Sequence, residues 1–202
     1  MKVKIISQKL YNKNERAWQR MLSGRKLDIL SPSPLDIEIE DIALGLSRVA
    51  RWNGQTIGNH CYSVAQHSLL VEELFTQNNP KSDLKWRLAA LLHDGPEYVI
   101  GDLITPFKYA LNNSYRTVEN NLMQTINLRF GLPAILPKAI ELNIKKADKS
   151  AAWVEAVQIG GYSEKEALQI LKKPIGELTN KVNPLSPKEA VIKFLKRFHE
   201  LI

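Results

Sequence analysis

The chain has 202 residues, 44% of them hydrophobic and 24% charged, with a formal net charge of +7. That profile fits one ordinary soluble globular domain with room for an extension. No apolar run approaches the ~20 residues of a membrane span, Met1–Leu10 lacks the apolar core and cleavage site of a signal peptide, and the single Cys61 rules out an internal disulfide and a thiolate-rich zinc site. A reducing cytoplasm is the expected compartment. The positive charge reads as lysines scattered over helix faces. Aromatic and basic residues do not interleave in any segment, so neither stable nucleic-acid binding nor membrane association is expected.

Helical periodicity runs through the chain and no run of period-two strands stands out, so the expected fold class is all-α in a single domain. Residues 1–36 read as an N-terminal extension and 37–202 as the domain, closed by a C-terminal helix. The first expected helix spans about Glu15 to Ser23, and Ser31-Pro32-Ser33-Pro34-Leu35-Asp36 forms a loop. A helix from about Glu38 to Ala50 turns Ile39, Ile42, Ala43, Leu46 and Val49 inward, and Arg51 to Asn59 is a loop. Ser63 is placed to cap a helix over about Val64 to Gln77, whose apolar stripe runs Val64, Val71, Leu74. Ser82 or Asp83 starts the next helix, which runs to about Asp94 and is broken by Gly95-Pro96. After a short turn over Glu97–Ile100 and a loop to Pro106, two long helices are expected over about Ser114 to Phe130 and Pro137 to Gln158. Ser163 with Glu166, and Ser186-Pro187-Lys188-Glu189, carry capping signatures for two further helices. The last of these turns Val191, Phe194, Leu195 and Phe198 inward.

Four side chains of metal-ligand type fall on the inward stripes of these helices: His67, the adjacent His93-Asp94, and Asp148. Ionisable groups on buried stripes cost free energy unless compensated, and a divalent cation compensates two imidazoles and two carboxylates together. Neighbouring helical side chains diverge by about 100°, so His93 and Asp94 can meet at one point only where the chain bends. Asp148 stands among isoleucines and alanines, on one face with Ile140, Ile144, Ala151 and Glu155, while Lys145 and Lys149 point elsewhere. A nitrogen/oxygen donor set suits manganese, cobalt, iron or zinc better than calcium. Glu97 lies one helical turn beyond Asp94 and suits a general acid/base; a solvated first-turn glutamate held by the helix dipole fits the spacing equally well. His60 reads as a loop histidine and Cys61 as a small buried side chain.

His67, His93-Asp94 and Asp148, together with Ser63-Val64-Ala65-Gln66-His67-Ser68, Leu91-Leu92-His93-Asp94-Gly95-Pro96-Glu97, Gly101-Asp102-Leu103-Ile104-Thr105-Pro106-Phe107-Lys108 and Ala147-Asp148-Lys149, resemble the HD superfamily of metal-dependent phosphohydrolases. Within it the resemblance is to the bacterial 5'-deoxynucleotidase branch and covers roughly residues 38–158. It implies an all-α HD fold with one divalent cation on His67, His93, Asp94 and Asp148, and Glu97 as the catalytic carboxylate. It further implies that Arg51 holds the phosphate, Trp52 shapes the sugar pocket against a 2'-hydroxyl, Asp102 accepts from the 3'-hydroxyl, and Thr105 and Lys108 line the phosphate side. The segment from Arg51-Trp52 to His67 is about one residue longer than the branch pattern, so a reshaped pocket wall is expected.

The function so implied is hydrolysis of nucleotides, foremost deoxynucleoside 5'-monophosphates, by a chain that forms a homodimer. Two alternatives share the same ligand set: a deoxynucleoside triphosphate triphosphohydrolase, and a regulatory HD module that holds a nucleotide without turnover.

Overall fold

The computed structural model describes residues 17–171, 174 and 181–202, with the side chains of Thr105, Pro106, Tyr109 and residues 112–114 outside the description. Helices α1 (Ile39–Leu46), α2 (Val64–Asn78), α3 (Leu84–Leu91), α4 (Glu97–Ile100), α5 (Thr105–Ala110), α6 (Asn112–Arg129), α7 (Lys138–Gln158), α8 (Glu164–Ile170) and α9 (Pro187–Leu201) make an all-α fold. Among the described residues the sheet content is a small antiparallel hairpin of β1 (Trp18–Arg20) and β2 (Lys26–Asp28).

α2 is the central element, packed against α7, α3 and α9, while α1 rests on α4 and α9. The reason lies in its side chains: Val64, Ala65, Leu70, Val71, Leu74 and Phe75 are all buried, covering more than one stripe. A helix apolar around most of its circumference has to be surrounded. Ser63 caps it as the sequence suggests, its hydroxyl accepting from the Gln66 amide. The capping boxes at Ser163/Glu166 and Ser186/Glu189 form in full, and Pro187 occupies the first turn of α9. α9 buries Phe194 and Phe198 against the core and leaves Val191 and Leu195 at its margin.

Four expectations are corrected. Residues 18–20, inside the expected helix over Glu15 to Ser23, are a strand paired through Gln19 with Leu27 and through Arg20 with Lys26; Glu15 and Arg16 lie outside the described residues. Here tertiary pairing overrides local propensity: Leu27 is fully buried, and Ser23 ties the turn to α1 through its amide and its hydroxyl, both donated to the Asp41 carboxylate. The helix before the His-Asp pair stops at Leu91 rather than at Asp94, and residues 92–96 form successive turns. A helix also occupies Thr105–Ala110, where the expected loop ends, and α6 begins at Asn112 rather than Ser114. Among the described residues, no helix is long and apolar enough to cross a membrane.

Candidate functional site

Three elements deliver the four ligand-type side chains to one place. His67 lies on α2 and Asp148 on α7, two long helices that pack against each other. His93 and Asp94 lie in the turns after α3. The tight turn depends on Gly95: a Cβ there would stand 2.9 Å from the Leu92 carbonyl oxygen and 3.1 Å from Ile126 Cδ1. The bend therefore begins at Leu92, and the histidine and aspartate leave it toward the same point.

His67 Nε2 is 3.2 Å from Asp148 Oδ1 and 3.4 Å from Asp94 Oδ2, and His93 Nε2 is 3.2 Å from Asp94 Oδ2. The two imidazoles face one another at 5.3 Å between ring centres. Ligand atoms of His67, His93 and Asp148 all lie within 4.8 Å of one another, a spacing that suits one cation. Asp94 is outside that group of three, yet its Oδ2 faces both imidazole nitrogens. The Nε2 atoms of His67 and His93 are buried without a hydrogen-bond partner. Each ring is oriented from its far side, His67 Nδ1 against Glu155 Oε1 at 2.6 Å and His93 Nδ1 against the Ala90 carbonyl at 2.9 Å. Both outer partners are acceptors, so each Nδ1 carries a proton, which leaves Nε2 as the atom that turns inward and that a metal could take. Buried, unpartnered and converging nitrogens beside two carboxylates fit a divalent cation.

Electrostatics agree. Burial and Arg51 push the His67 imidazole down, but Glu155 and Asp148 outweigh them and lift it to about 10. Without a cation His67 therefore holds a second proton, which a metal would displace. Burial alone would raise Asp94 and Asp148, but neighbouring imidazoles hold both carboxyls below their ordinary range.

Glu97 opens α4 and is nearly fully buried. Burial, then Asp94 and Asp102, push its carboxyl up to about 9 against the pull of Lys108 and Arg51. Its Oε1 accepts from Lys108 Nζ at 3.4 Å, while Oε2 is buried without a partner. Lys108 in turn donates to Glu119 Oε1 at 3.2 Å, and the Tyr115 hydroxyl donates to the same oxygen.

Arg51 and Trp52 sit in a 3-10 turn, Arg51–Gly54, immediately before the approach to α2. That turn is tied to α2 by an isolated β-bridge between Ala50 and Ser63, with the Arg51 amide donating to the Tyr62 carbonyl. Arg51 Nη1 donates to Asp102 Oδ2 at 3.0 Å and its Nε lies 3.5 Å from Glu155 Oε2. Trp52 Nε1 donates to Glu155 Oε2 at 2.9 Å, and its ring packs on Tyr162. Trp52 (φ 56°) and Asn53 (φ 50°) both take the left-handed conformation. For a bulky side chain that costs about 1–3 kcal/mol and persists only where surrounding contacts enforce it.

Every candidate residue with a described side chain thus lies in one connected cluster; the Thr105 side chain lies outside the described residues, though its backbone opens α5. A cavity of about 240 Å³ reaches His93, Asp94 and Asp148 past Met123, Leu136 and Ile144. His60 is exposed, near Glu189 in the first turn of α9. Cys61 is exposed rather than buried, because it lies on the outer side of the loop before Ser63. Glu155, given no role in the sequence reading, is fully buried and touches both halves of the site. The signal was available: Glu155 stands two turns beyond Asp148 on the same apolar stripe, and the buried-charge argument applies to both.

An all-helical fold that gathers a histidine from one helix, a His-Asp pair from a turn and an aspartate from another helix defines an HD-domain protein. The chain belongs to the 5'-deoxynucleotidase YfbR-like family, whose model matches residues 44–200. It is 55% identical over 192 residues to an uncharacterized protein of Rhodobacter capsulatus, covering 93% of this chain and 97% of that one. It is also 32% identical over 167 residues to the uncharacterized Escherichia coli protein YfdR, covering 82% and 85% of the two chains. The family places the chain among 5'-deoxynucleotidase-type hydrolases.

Proposed function

We propose that the protein is a divalent-metal-dependent phosphohydrolase that releases phosphate from deoxynucleoside 5'-monophosphates. The observation that carries this reading is the pair of buried, unpartnered Nε2 atoms converging with Asp94 and Asp148 beside a protonatable Glu97. A cation held by His67, His93, Asp94 and Asp148, with manganese, cobalt, iron and zinc as the candidates, would polarise the phosphoryl group and acidify a water. Glu97, kept protonated by burial and by Asp94 and Asp102, is poised to give a proton to the departing sugar oxygen. Lys108, beside Glu97, and Arg51 supply positive charge to the phosphoryl oxygens. Asp102 holds the Arg51 guanidinium and offers its remaining lone pairs to a sugar hydroxyl. Trp52 stands beside this pair as the sugar wall.

A panel of nucleoside mono- and triphosphates assayed with several divalent metals tests the reading. The expected product is orthophosphate plus deoxynucleoside; release of triphosphate, or tight binding without hydrolysis of any member, would replace it with one of the alternatives. Asp94→Ala is expected to abolish metal content and hydrolysis while leaving the helical signal intact, and unchanged metal content by elemental analysis would remove the assigned centre.

A further inference from the structure

Glu155 is a fully buried carboxylate with both oxygens engaged on different parts of the site. Oε1 meets His67 Nδ1 at 2.6 Å, and Oε2 accepts from Trp52 Nε1 at 2.9 Å. No other described contact joins a ligand imidazole so directly to the turn that carries Arg51 and Trp52. That turn is held in a left-handed conformation, which other backbone states would relieve, so the contact that restrains it has a positional task.

We propose that Glu155 is a positioning residue that couples cation binding to deoxyribose selectivity, by fixing the His67 ring with one oxygen and the Trp52 wall with the other. The inference rests on the reading of His67 as a ligand and Trp52 as the sugar wall. Its chemical basis is that only a carboxylate offers two acceptor oxygens in this geometry. An amide has one acceptor and one donor. With its NH2 toward His67, Glu155→Gln forces the ring into the tautomer whose Nε2 carries hydrogen and opposes a metal. With its NH2 toward Trp52, it faces one donor with another and releases the indole. Glutamine therefore satisfies one partner at the expense of the other, although it matches glutamate in size.

The experiment compares wild type, Glu155→Gln, Trp52→Phe, the double variant and Asp94→Ala. Mn2+ affinity is measured by calorimetry, and the ratio of hydrolysis of deoxyadenosine 5'-monophosphate to AMP at saturating Mn2+. Glu155→Gln is expected to weaken Mn2+ binding about 10–100-fold with no ligand touched, or to lower the deoxy-to-ribo ratio to that of Trp52→Phe. The two substitutions are expected to be non-additive on the ratio. Wild-type Mn2+ affinity together with a wild-type ratio in Glu155→Gln overturns the coupling while Asp94→Ala still loses the metal. If Asp94→Ala also binds Mn2+ normally, the site reading itself has failed. Should Glu155→Gln not fold, Trp52→Phe reads the link from the other end: it removes the indole donor from Oε2 and leaves only Arg51 Nε beside it at 3.5 Å, and it is expected to change Mn2+ affinity several-fold; unchanged affinity overturns the coupling.

Discussion

Glu97 is the residue whose environment says most about its role. Its carboxyl is raised from 4.5 to about 9, so the folded chain keeps a proton that the unfolded chain has released across that window. Binding more protons in the folded state makes stability fall as pH rises through the interval. The metal-free protein is therefore expected to lose stability between about pH 4.5 and about 9, and Glu97→Gln, which mimics the protonated form, is expected to flatten that decline in thermal melts at stepped pH. The same substitution removes the transferable proton and is expected to lower kcat by about 10²–10⁴-fold, the usual range for an acid/base group, with little change in metal content. Equal kcat in the two proteins would leave Glu97 a structural carboxyl.

At the scale of elements, function depends on where helices stop. The turn after Leu91 presents His93 and Asp94 together, and Gly95 leaves no room for a side chain between the Leu92 carbonyl and Ile126. Gly95→Ala is expected to destabilise the fold by about 1–3 kcal/mol, as overpacking does, and to weaken metal binding although no ligand is altered; urea unfolding and metal titration read the two effects. This explains what could be read from the chain. Caps at Ser63, Ser163 and Ser186 are local chemistry within three residues, and all form as written. The hairpin at β1 and β2 was not legible, because its warrant is a distant hydrogen bond to Asp41 and the burial of Leu27. The four residues of metal-ligand type were legible because charge on an apolar stripe stands out. Glu155 obeys the same rule; what the chain does not show is which partners its two oxygens meet, because His67 and Trp52 lie so far away in the chain.

For the molecule as a whole, the inner cluster gathers Asp94, Glu97, Asp102, Asp148 and Glu155 around Arg51 and Lys108, inside a chain of net charge +7. A cation bound there stabilises the native state alone, because its ligands come from α2, the turns after α3, and α7. At 100 times its dissociation constant it adds about 2.7 kcal/mol, or roughly 5–10 °C in Tm for a chain of this size. Melting curves against Mn2+ concentration are expected to show that rise in wild type and none in Asp94→Ala; a rise in both would place the stabilising ion elsewhere.

The bridge between Ala50 and Ser63 has one more consequence. It clasps the two ends of the intervening loop, while Gly58 to Cys61 lies exposed outside the clasp. Arg51 follows the bridge directly, so the clasp sets where the turn that carries it stands relative to α2. The loop's rim also carries the chain's single thiol, so a fluorophore attached at Cys61 becomes an outboard gauge, three residues before the start of the helix that bears His67.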